Sequence, residues 1–519
     1  MWWFVVLLVT CVLYYSSRRL SYFSSRGVRT LPPVPLLGNL TAVTFGKENF
    51  VEAIAAGYDA FKDQRYFGLY QYLVPTVVPR DPNLIREIMV RDFNVFCDRG
   101  IHIGPDCDPL FGRNLVVLRG SKWREMRTAL TPAFSSARFR SMATLMAENA
   151  SNAATYLKEK ITKPELMDFN VVTLAYVNDV ISSCAFGFAV DSLQEPDNCL
   201  LKLGKKAMIN ETTQVMKLFG YANMGSVMKF LKVKLIATKD ANQFSELFTS
   251  ALKARRENLV PTRPDFIQIL VDAAQGLGKQ RTGRDGDATL AGREELSFAA
   301  EFADDELVAQ AVLFYIAGFD TTANLINFFL YEMAANPHIQ DKLYEELSDL
   351  PPDEEIENIY DVVQRLEYLD MCVSEVLRMW PLVGSFDRVS QAPYDFGPTS
   401  EGSKDRLIVP AGVHVWIPIY SIHRDEKYWP NPNVFDPERF SPERKSEILP
   451  YTYLPFGTGP RHCIGSRFAL LVTKVFLIKF LRLFKTKTDH KLSRLSPRAF
   501  ILRPAEGFNL VIEPRNNNE

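Results

Sequence analysis

Hydrophobic and polar positions follow different rules in different parts of this chain. Residues 1–15, MWWFVVLLVTCVLYY, carry no charge, and Arg18, Arg19, Arg26 and Arg29 follow closely. The run is short against the roughly 20 apolar residues of a usual spanning helix, so Ser16, Ser17 and snorkelling arginines have to finish a crossing. A cleaved signal peptide expects basic residues before the apolar run and a small-residue cleavage site after it, and both are missing. No polar helical face runs through these residues, so a buried amphipathic segment fits poorly. The pattern predicts a membrane anchor over 1–17, with the trailing positive charge holding the remainder on the cytoplasmic side.

The segment Leu31-Pro32-Pro33-Val34-Pro35-Leu36-Leu37-Gly38-Asn39 cannot be helical, because its prolines remove donors and push their neighbours toward extended backbone. Residues 18–40 therefore read as a basic, proline-rich linker, a stiff strut between membrane and body. From about 48 to 390 apolar residues recur at three- and four-residue spacing, as in Phe139–Leu157 and Phe244–Leu252, which predicts helices. Strand-like pieces are few. They fall at Tyr66–Val78 and at Leu407–Pro418, where Pro410-Ala411-Gly412 is expected as a turn. Gln275–Glu295 is too rich in glycine and charge to pack and predicts a surface loop. A very long helix follows, capped by Asp304 or Asp305 and stopped at Asn336-Pro337; its roughly 30 residues span about 45 Å at ~1.5 Å per residue. The expected architecture is mainly α with small β-sheets, one large domain over 41–514, and a polar tail over 515–519.

Composition agrees with a globular body. Of 519 residues, 47% are hydrophobic and 23% charged, and 60 Lys+Arg nearly cancel 61 Asp+Glu, so nucleic acid is not an expected partner. Seven cysteines stand singly at 11, 97, 107, 184, 199, 372 and 463, without zinc-type or disulfide spacing, which suits a reducing compartment.

One cysteine has a special context. Phe456-Gly457-Thr458-Gly459-Pro460-Arg461-His462-Cys463-Ile464-Gly465 runs into the helical stretch Ser466-Arg467-Phe468-Ala469-Leu470. Glycines at 457, 459 and 465 allow tight turns and close approach to a flat group. A thiolate at a helix start gains from the dipole and from free amide donors, which lower its basicity. The pattern FxxGxRxCxG resembles the haem-binding loop of the cytochrome P450 superfamily, with every fixed position present. The resemblance implies haem b (iron protoporphyrin IX) as cofactor, Cys463 as its metal ligand, and Phe456, Gly457, Arg461 and Gly465 as parts of its cradle. Thiolate donation to iron favours O–O cleavage.

Further motifs keep the family's order. The long helix carries Ala317-Gly318-Phe319-Asp320-Thr321-Thr322, where Gly and β-branched residues weaken helix propensity. By itself this could be a packing kink; its similarity to the family's AGx[DE]T motif implies that Asp320 and Thr321 are catalytic and relay protons. Glu375-Val376-Leu377-Arg378 has the spacing of any surface ion pair. Its similarity to ExxR, with Phe435-Asp436-Pro437-Glu438-Arg439-Phe440 resembling PERF, implies a buried structural triad of Glu375, Arg378 and Arg439. Trp123-Arg124-Glu125-Met126-Arg127 resembles the family's WRxxR helix, so Trp123 and Arg127, with Arg388 and Arg461, are the implied propionate ligands. For Arg388 a solvated surface charge remains an open alternative.

Asp108-Pro109-Leu110-Phe111-Gly112 and Gly465-Ser466-Arg467-Phe468-Ala469 look most like the insect microsomal branch associated with xenobiotic and insecticide metabolism. The resemblance implies a monooxygenase on the endoplasmic reticulum membrane, drawing on NADPH through a cytochrome P450 reductase, with cytochrome b5 a further candidate partner. Candidate docking cations are Lys122, Arg124, Arg138 and Arg467. Contacts to a lipophilic substrate are expected from Ile101–Phe111, Met208–Phe230, Phe314–Phe319 and Leu382–Phe386. Two rival readings are a haem-thiolate isomerase or dehydratase needing no reductase, and a non-catalytic haem or lipophile carrier.

Overall fold

The computed structural model describes residues 1–209, 212–261, 265–274, 302–352, 356, 358–492 and 494–515. The loop expected at Gln275–Glu295, and residues 516–519 of the expected tail, lie outside these.

Helices dominate, as the periodicity requires. Those of nine or more residues begin with α1 (Trp2–Leu20), α2 (Phe50–Ala60), α3 (Gly120–Leu130), α4 (Ser136–Lys160) and α5 (Asn170–Phe186). There follow α6 (Cys199–Ala207), α7 (Thr212–Asn223), α8 (Thr238–Arg256) and α9 (Phe266–Ala274). The last four are α10 (Asp304–Ala335), α11 (Pro337–Ser348), α12 (Glu367–Met379) and α13 (Ser466–Leu481).

The 32-residue α10 crosses the body, buried along most of its length. Its start differs from expectation. Ala303 is the N-cap, its N–H donating to the Glu306 carboxylate at 3.1 Å. Asp304 and Asp305 stand in the first turn, where negative charge still suits the helix dipole. At the other end Pro337 opens α11, the position at which its missing N–H costs nothing. α10 packs on α5, and α13 on α4; α5, α10 and α13 are apolar around most of their surface because they are core helices, buried on nearly all sides.

One four-stranded sheet, in order β1-β2-β7-β4, combines β1 (Tyr66–Gln71), β2 (Val74–Pro79), β4 (Phe386–Val389) and β7 (His414–Ile417). β2 and β7 run parallel; the other neighbours are antiparallel. β3 (Glu165–Asp168), β8 (Phe484–Lys487) and β9 (Asn509–Pro514) form a second sheet, while β5 (Tyr394–Pro398) and β6 (Arg406–Val409) pair alone. The strands on either side of Pro410-Ala411-Gly412 therefore do not form a hairpin. β6 pairs with β5 and β7 joins the four-stranded sheet, so the turn passes the chain between sheets.

α1 runs three residues beyond the segment expected as an anchor, to Leu20, with Arg18 and Arg19 in its last turn, where their charge suits a helix C-terminus. It is long and apolar enough to cross a membrane, and among residues 1–19 only Ser16 is buried. The proline-rich segment is non-helical, as its sequence demands, but it is not a free strut. Thr30 bridges Gly68, Gly38 bridges Gln71, and Asn39 accepts from the Tyr70 N–H at 2.8 Å. Phe23 lies directly on Gly68, where an added Cβ would sit 2.3 Å from the ring.

Candidate active site

The segment 456–465 is a knot of short-range bonds ahead of α13. The Cys463 N–H donates to Phe456 O at 2.9 Å, and the His462 N–H to Gly459 O at 3.0 Å. Gly459 has φ +70 and an added Cβ would fall 2.0 Å from Met89 O, so no other residue fits. Gly457 also requires positive φ, and a Cβ there would press on Phe386 at 3.2 Å. Gly465 is different: φ is −91, the nearest atom to an added Cβ is 3.8 Å away, and the residue serves as the N-cap of α13. The backbone itself does not demand glycine there.

The Cys463 side chain is open, and the Gly465 and Ser466 amides bond its sulfur. Surrounding protein pushes the thiol above its ordinary range, and those amides with the Arg127 and Arg99 charges pull it back only in part. The stabilisers expected of a helix start are present, but the protein packed around the sulfur outweighs them. A cationic partner for the sulfur would complete the balance.

Around this loop lies a buried surplus of positive charge. Arg388, on β4, is 1% exposed, which excludes the solvated alternative. Its Nη1 donates only to Asp387 O at 2.7 Å, and its Nε has no partner. Burial, helped by Arg99, brings it down to about 9. Arg127 is half-buried and its guanidinium makes no hydrogen bond or ion pair with the described residues; burial lowers it too. Arg461 has already found partners: Nε donates to Cys97 O at 2.7 Å and Nη2 to Leu118 O at 2.8 Å, with Asp98 3.4 Å away. Its guanidinium lies 4.2 Å from the centroid of the buried Trp123 ring. It clamps segment 97–118 to the cysteine loop.

Two cations in this cluster escaped the sequence reading. Arg99 and Arg119 each have a buried Nε without a partner, and Arg119 Nη2 donates to Arg99 O at 2.9 Å. No periodicity or motif marks them, since segment 97–119 is mostly irregular. Against Arg99, Arg119, Arg127, Arg388 and Arg461 stand the carboxylates of Asp98 and Asp387, and burial lowers His102 and His414, disfavouring further positive charge there. Unpaired buried donors and surplus charge are costly by themselves and suit a flat group bearing two carboxylates. The residues present fit a haem.

On α10, Ala317 is exposed in the middle of a helix that is otherwise mostly buried, as on the wall of a recess, and Thr321 is half-open one turn later. Phe134 connects this wall with the cysteine loop, lying 5.2 Å from the Phe314 ring and beside Gly465. The Thr321 hydroxyl bonds back to Ala317 O at 2.6 Å. Gly318 has a packing reason, because a Cβ there would meet Ile181 of α5 at 2.9 Å. Asp320 does not touch Thr321's hydroxyl: it is buried and bound to Arg503, with Asn324 donating at 2.7 Å. Burial raises its carboxyl, and Arg503 opposes this. Arg503, far along the chain and outside any motif, was also missed.

The Glu375–Arg378 pair is not at the surface. Both are fully buried and bidentate, with Arg378 Nε and Nη2 donating to the carboxylate at 2.7 and 2.8 Å. Arg439 Nε approaches Glu375 at 3.4 Å, and the Asp436 N–H donates to it at 3.0 Å, so α12 is tied to the segment around Pro437–Phe440.

The cytochrome P450 family model matches residues 28–511. This chain is a cytochrome P450. Cytochrome P450 9e2 of Blattella germanica is 34% identical over 100% of this chain and 98% of its own length. Probable cytochrome P450 9f2 of Drosophila melanogaster is 34% identical over 99% of each chain. Cytochrome P450 6k1 of Blattella germanica is 33% identical over 97% of this chain and 95% of its own. The insect branch suggested by local motifs is thus where its relatives lie, and like them it is a P450 monooxygenase.

In this P450, segments 101–111 and 208–230 do come together, through Ile103, Leu218, Tyr221 and Met228, with Val117 packed beside them. Leu382 is held by the Leu502 N–H at 2.9 Å. Phe319 departs from the expected substrate face; it stacks on Tyr315 at 5.8 Å and packs beside Gly204, inside the core. Among the suggested docking cations Lys122, Arg124 and Arg467 are exposed and Arg138 is half-buried; Arg467 donates to Ser136 Oγ at 2.6 Å.

Proposed function

We propose that this P450 inserts one oxygen atom from O2 into lipophilic substrates, xenobiotics or insect hormones among them, using electrons from NADPH passed by a membrane-bound reductase, with cytochrome b5 as an auxiliary donor. Residues 1–17 anchor it in the endoplasmic reticulum membrane, the linker 18–40 follows, and the domain 41–514 lies on the cytoplasmic side. The observation that carries the reading is the open Cys463 thiol beside buried arginines whose donors lack partners. Cys463 would hold haem iron and Trp123, Arg127 and Arg388 its propionates, with Arg461, whose donors are already engaged, bracing Trp123 beside them, and the segment from Phe456 and Gly457 to Gly465 would cradle the group.

Bound haem supplies the oxygen-activating iron, made electron-rich by sulfur. The chain does the rest. Arg388 and Arg127 orient the group by bidentate-capable donors and lose their desolvation penalty in doing so. Thr321 holds a transferable proton at Oγ1, parked on Ala317 O. Asp320 would restore it by swinging from Arg503, taking a proton from water on its carboxylate and passing that proton to Thr321 Oγ1. The apolar surfaces of segments 101–111 and 208–230 exclude water and select lipophilic ligands.

An isomerase or dehydratase could dispense with the acid–alcohol pair, and a carrier with both pair and reductase; retention of Asp320 and Thr321 favours turnover. The test is the reduced carbon monoxide difference spectrum of the membrane-expressed protein beside Cys463→Ala, followed by turnover with and without reductase and NADPH. A strongly red-shifted Soret band lost in the variant, with product only when reductase is present, is expected. A histidine-like band defeats the ligand assignment; product without reductase favours the isomerase.

A further inference from the structure

His423 belongs to none of the motifs above and is fully buried. Its backbone carbonyl accepts from Arg378 Nη1 at 2.9 Å, and its ring Nδ1 lies 3.1 Å from Arg378 O. Its Nε2 accepts from the Leu454 N–H at 2.7 Å. An amide N–H can only donate, so Nε2 carries no proton; Nδ1 then carries it and donates to Arg378 O. One neutral tautomer satisfies both ends. Burial, with the Arg378 charge beside it, holds the ring in that neutral form, pulled down to about 3.

Leu454 is gripped twice. Its N–H goes to His423 and its carbonyl accepts from the Gly457 N–H at 3.0 Å, at the first glycine of the cysteine loop. Phe456, between them, accepts the Cys463 N–H. The ring cannot tilt away, because Tyr453 stacks on it at 5.5 Å and the Tyr453 hydroxyl donates to Ser374 O at 3.0 Å on α12. A continuous set of bonds thus runs from Glu375 through Arg378, His423 and Leu454 to the loop that carries the sulfur.

We infer that His423 is a positioning residue that couples the buried Glu375–Arg378 pair to the Cys463 loop and so keeps the sulfur in the geometry that binds iron as a thiolate. The inference rests on the haem-thiolate reading above. It explains what the buried ion pair does beyond anchoring α12: its rigidity reaches the ligand loop through one imidazole.

The experiment uses the full-length haem-loaded protein with His423→Leu, which removes both ring bonds, and His423→Gln, whose side-chain carbonyl can still accept from Leu454. The readout is the share of the reduced carbon monoxide complex showing the red-shifted thiolate band, taken on samples matched for haem content and far-ultraviolet dichroism. His423→Leu should lose most of that band while remaining folded, and His423→Gln should restore a large part of it. Equal thiolate bands in wild type and His423→Leu would overturn the inference, as would equal loss in both variants. In the unmodified protein the Leu454 amide should exchange with solvent on the order of 100-fold more slowly than a free peptide, a result independent of whether either variant folds. Exchange at the free rate overturns the coupling. A wild type without any thiolate band defeats the underlying haem-thiolate reading instead.

Discussion

A single nitrogen, Arg503 Nη2, lies 2.7 and 2.8 Å from the two carboxylate oxygens of Asp320. This bond fastens the segment after residue 500 to the middle of α10, one residue from Thr321. A buried acid held by a cation is stable only while both partners remain, since removing one leaves the other charged in a poor solvent. Arg503→Met should therefore cost about 3 kcal/mol, and Asp320→Asn in the same background should recover a large part of it. A double-mutant cycle on denaturant midpoints checks this; simple additivity would show that the pair is not coupled.

Arg388 should behave oppositely with and without its cofactor. In the bare protein its buried Nε has no partner, so Arg388→Leu should stabilise that form by about 1 kcal/mol. In the haem-loaded protein the same change would remove the proposed propionate donor and should speed haem loss to an acceptor globin. Parallel thermal midpoints of both forms read the sign, and a loss of stability in both would remove the case for Arg388 as an anion ligand.

The glycines of the cysteine loop separate by geometry. Gly459→Ala meets Met89 O at 2.0 Å from a left-handed backbone and should cost about 3 kcal/mol or more. Gly465→Ala has ordinary φ and room, so the bare protein should stay within about 1 kcal/mol of wild type. Haem occupancy after expression is expected to fall in both, in the second because the added methyl stands beside the sulfur's amide donors.

Glu332 provides a pH signature. It is buried on α10, accepts from Trp380 Nε1 at 2.7 Å, and burial pushes its carboxyl up to about 7 from an ordinary 4.5. The folded state therefore holds this proton more tightly than the unfolded chain. Its contribution is fully present below pH 4.5 and is lost as pH rises toward 7, by at most about 3 kcal/mol. Glu332→Gln should be the more stable protein at pH 8, with the advantage shrinking toward pH 5. Denaturant midpoints across that range test it, and an unchanged pH slope would mean that Glu332 is ionised in the fold.

What could be read from the order of residues was what depends on near neighbours. The period of α4, α8 and α10, the non-helical prolines at 32–35, and the tight left-handed turns at Gly457 and Gly459 are all set within a few residues, and they stand in the fold as expected. The cap of α10 was misread because Ala303, Asp304 and Asp305 are nearly equal local choices, whereas the strands and turn at 407–418 stand as expected and only their pairing partners, which distant strands decide, were not legible.

Sequence alone determined the family, the glycine-rich loop that carries Cys463 and the adjacent Asp320 and Thr321 on a long helix. Only the tertiary structure decided where the charges go: Arg388 sealed inside, Arg461 spent on backbone carbonyls, Asp320 drawn to Arg503, Arg99 and Arg119 recruited, and His423 placed between ion pair and loop. The reason is that burial and partnership of a polar group are made by segments hundreds of residues apart. A charged side chain out of water takes whichever donors or acceptors the packing leaves within about 3 Å, and no local pattern records that distance.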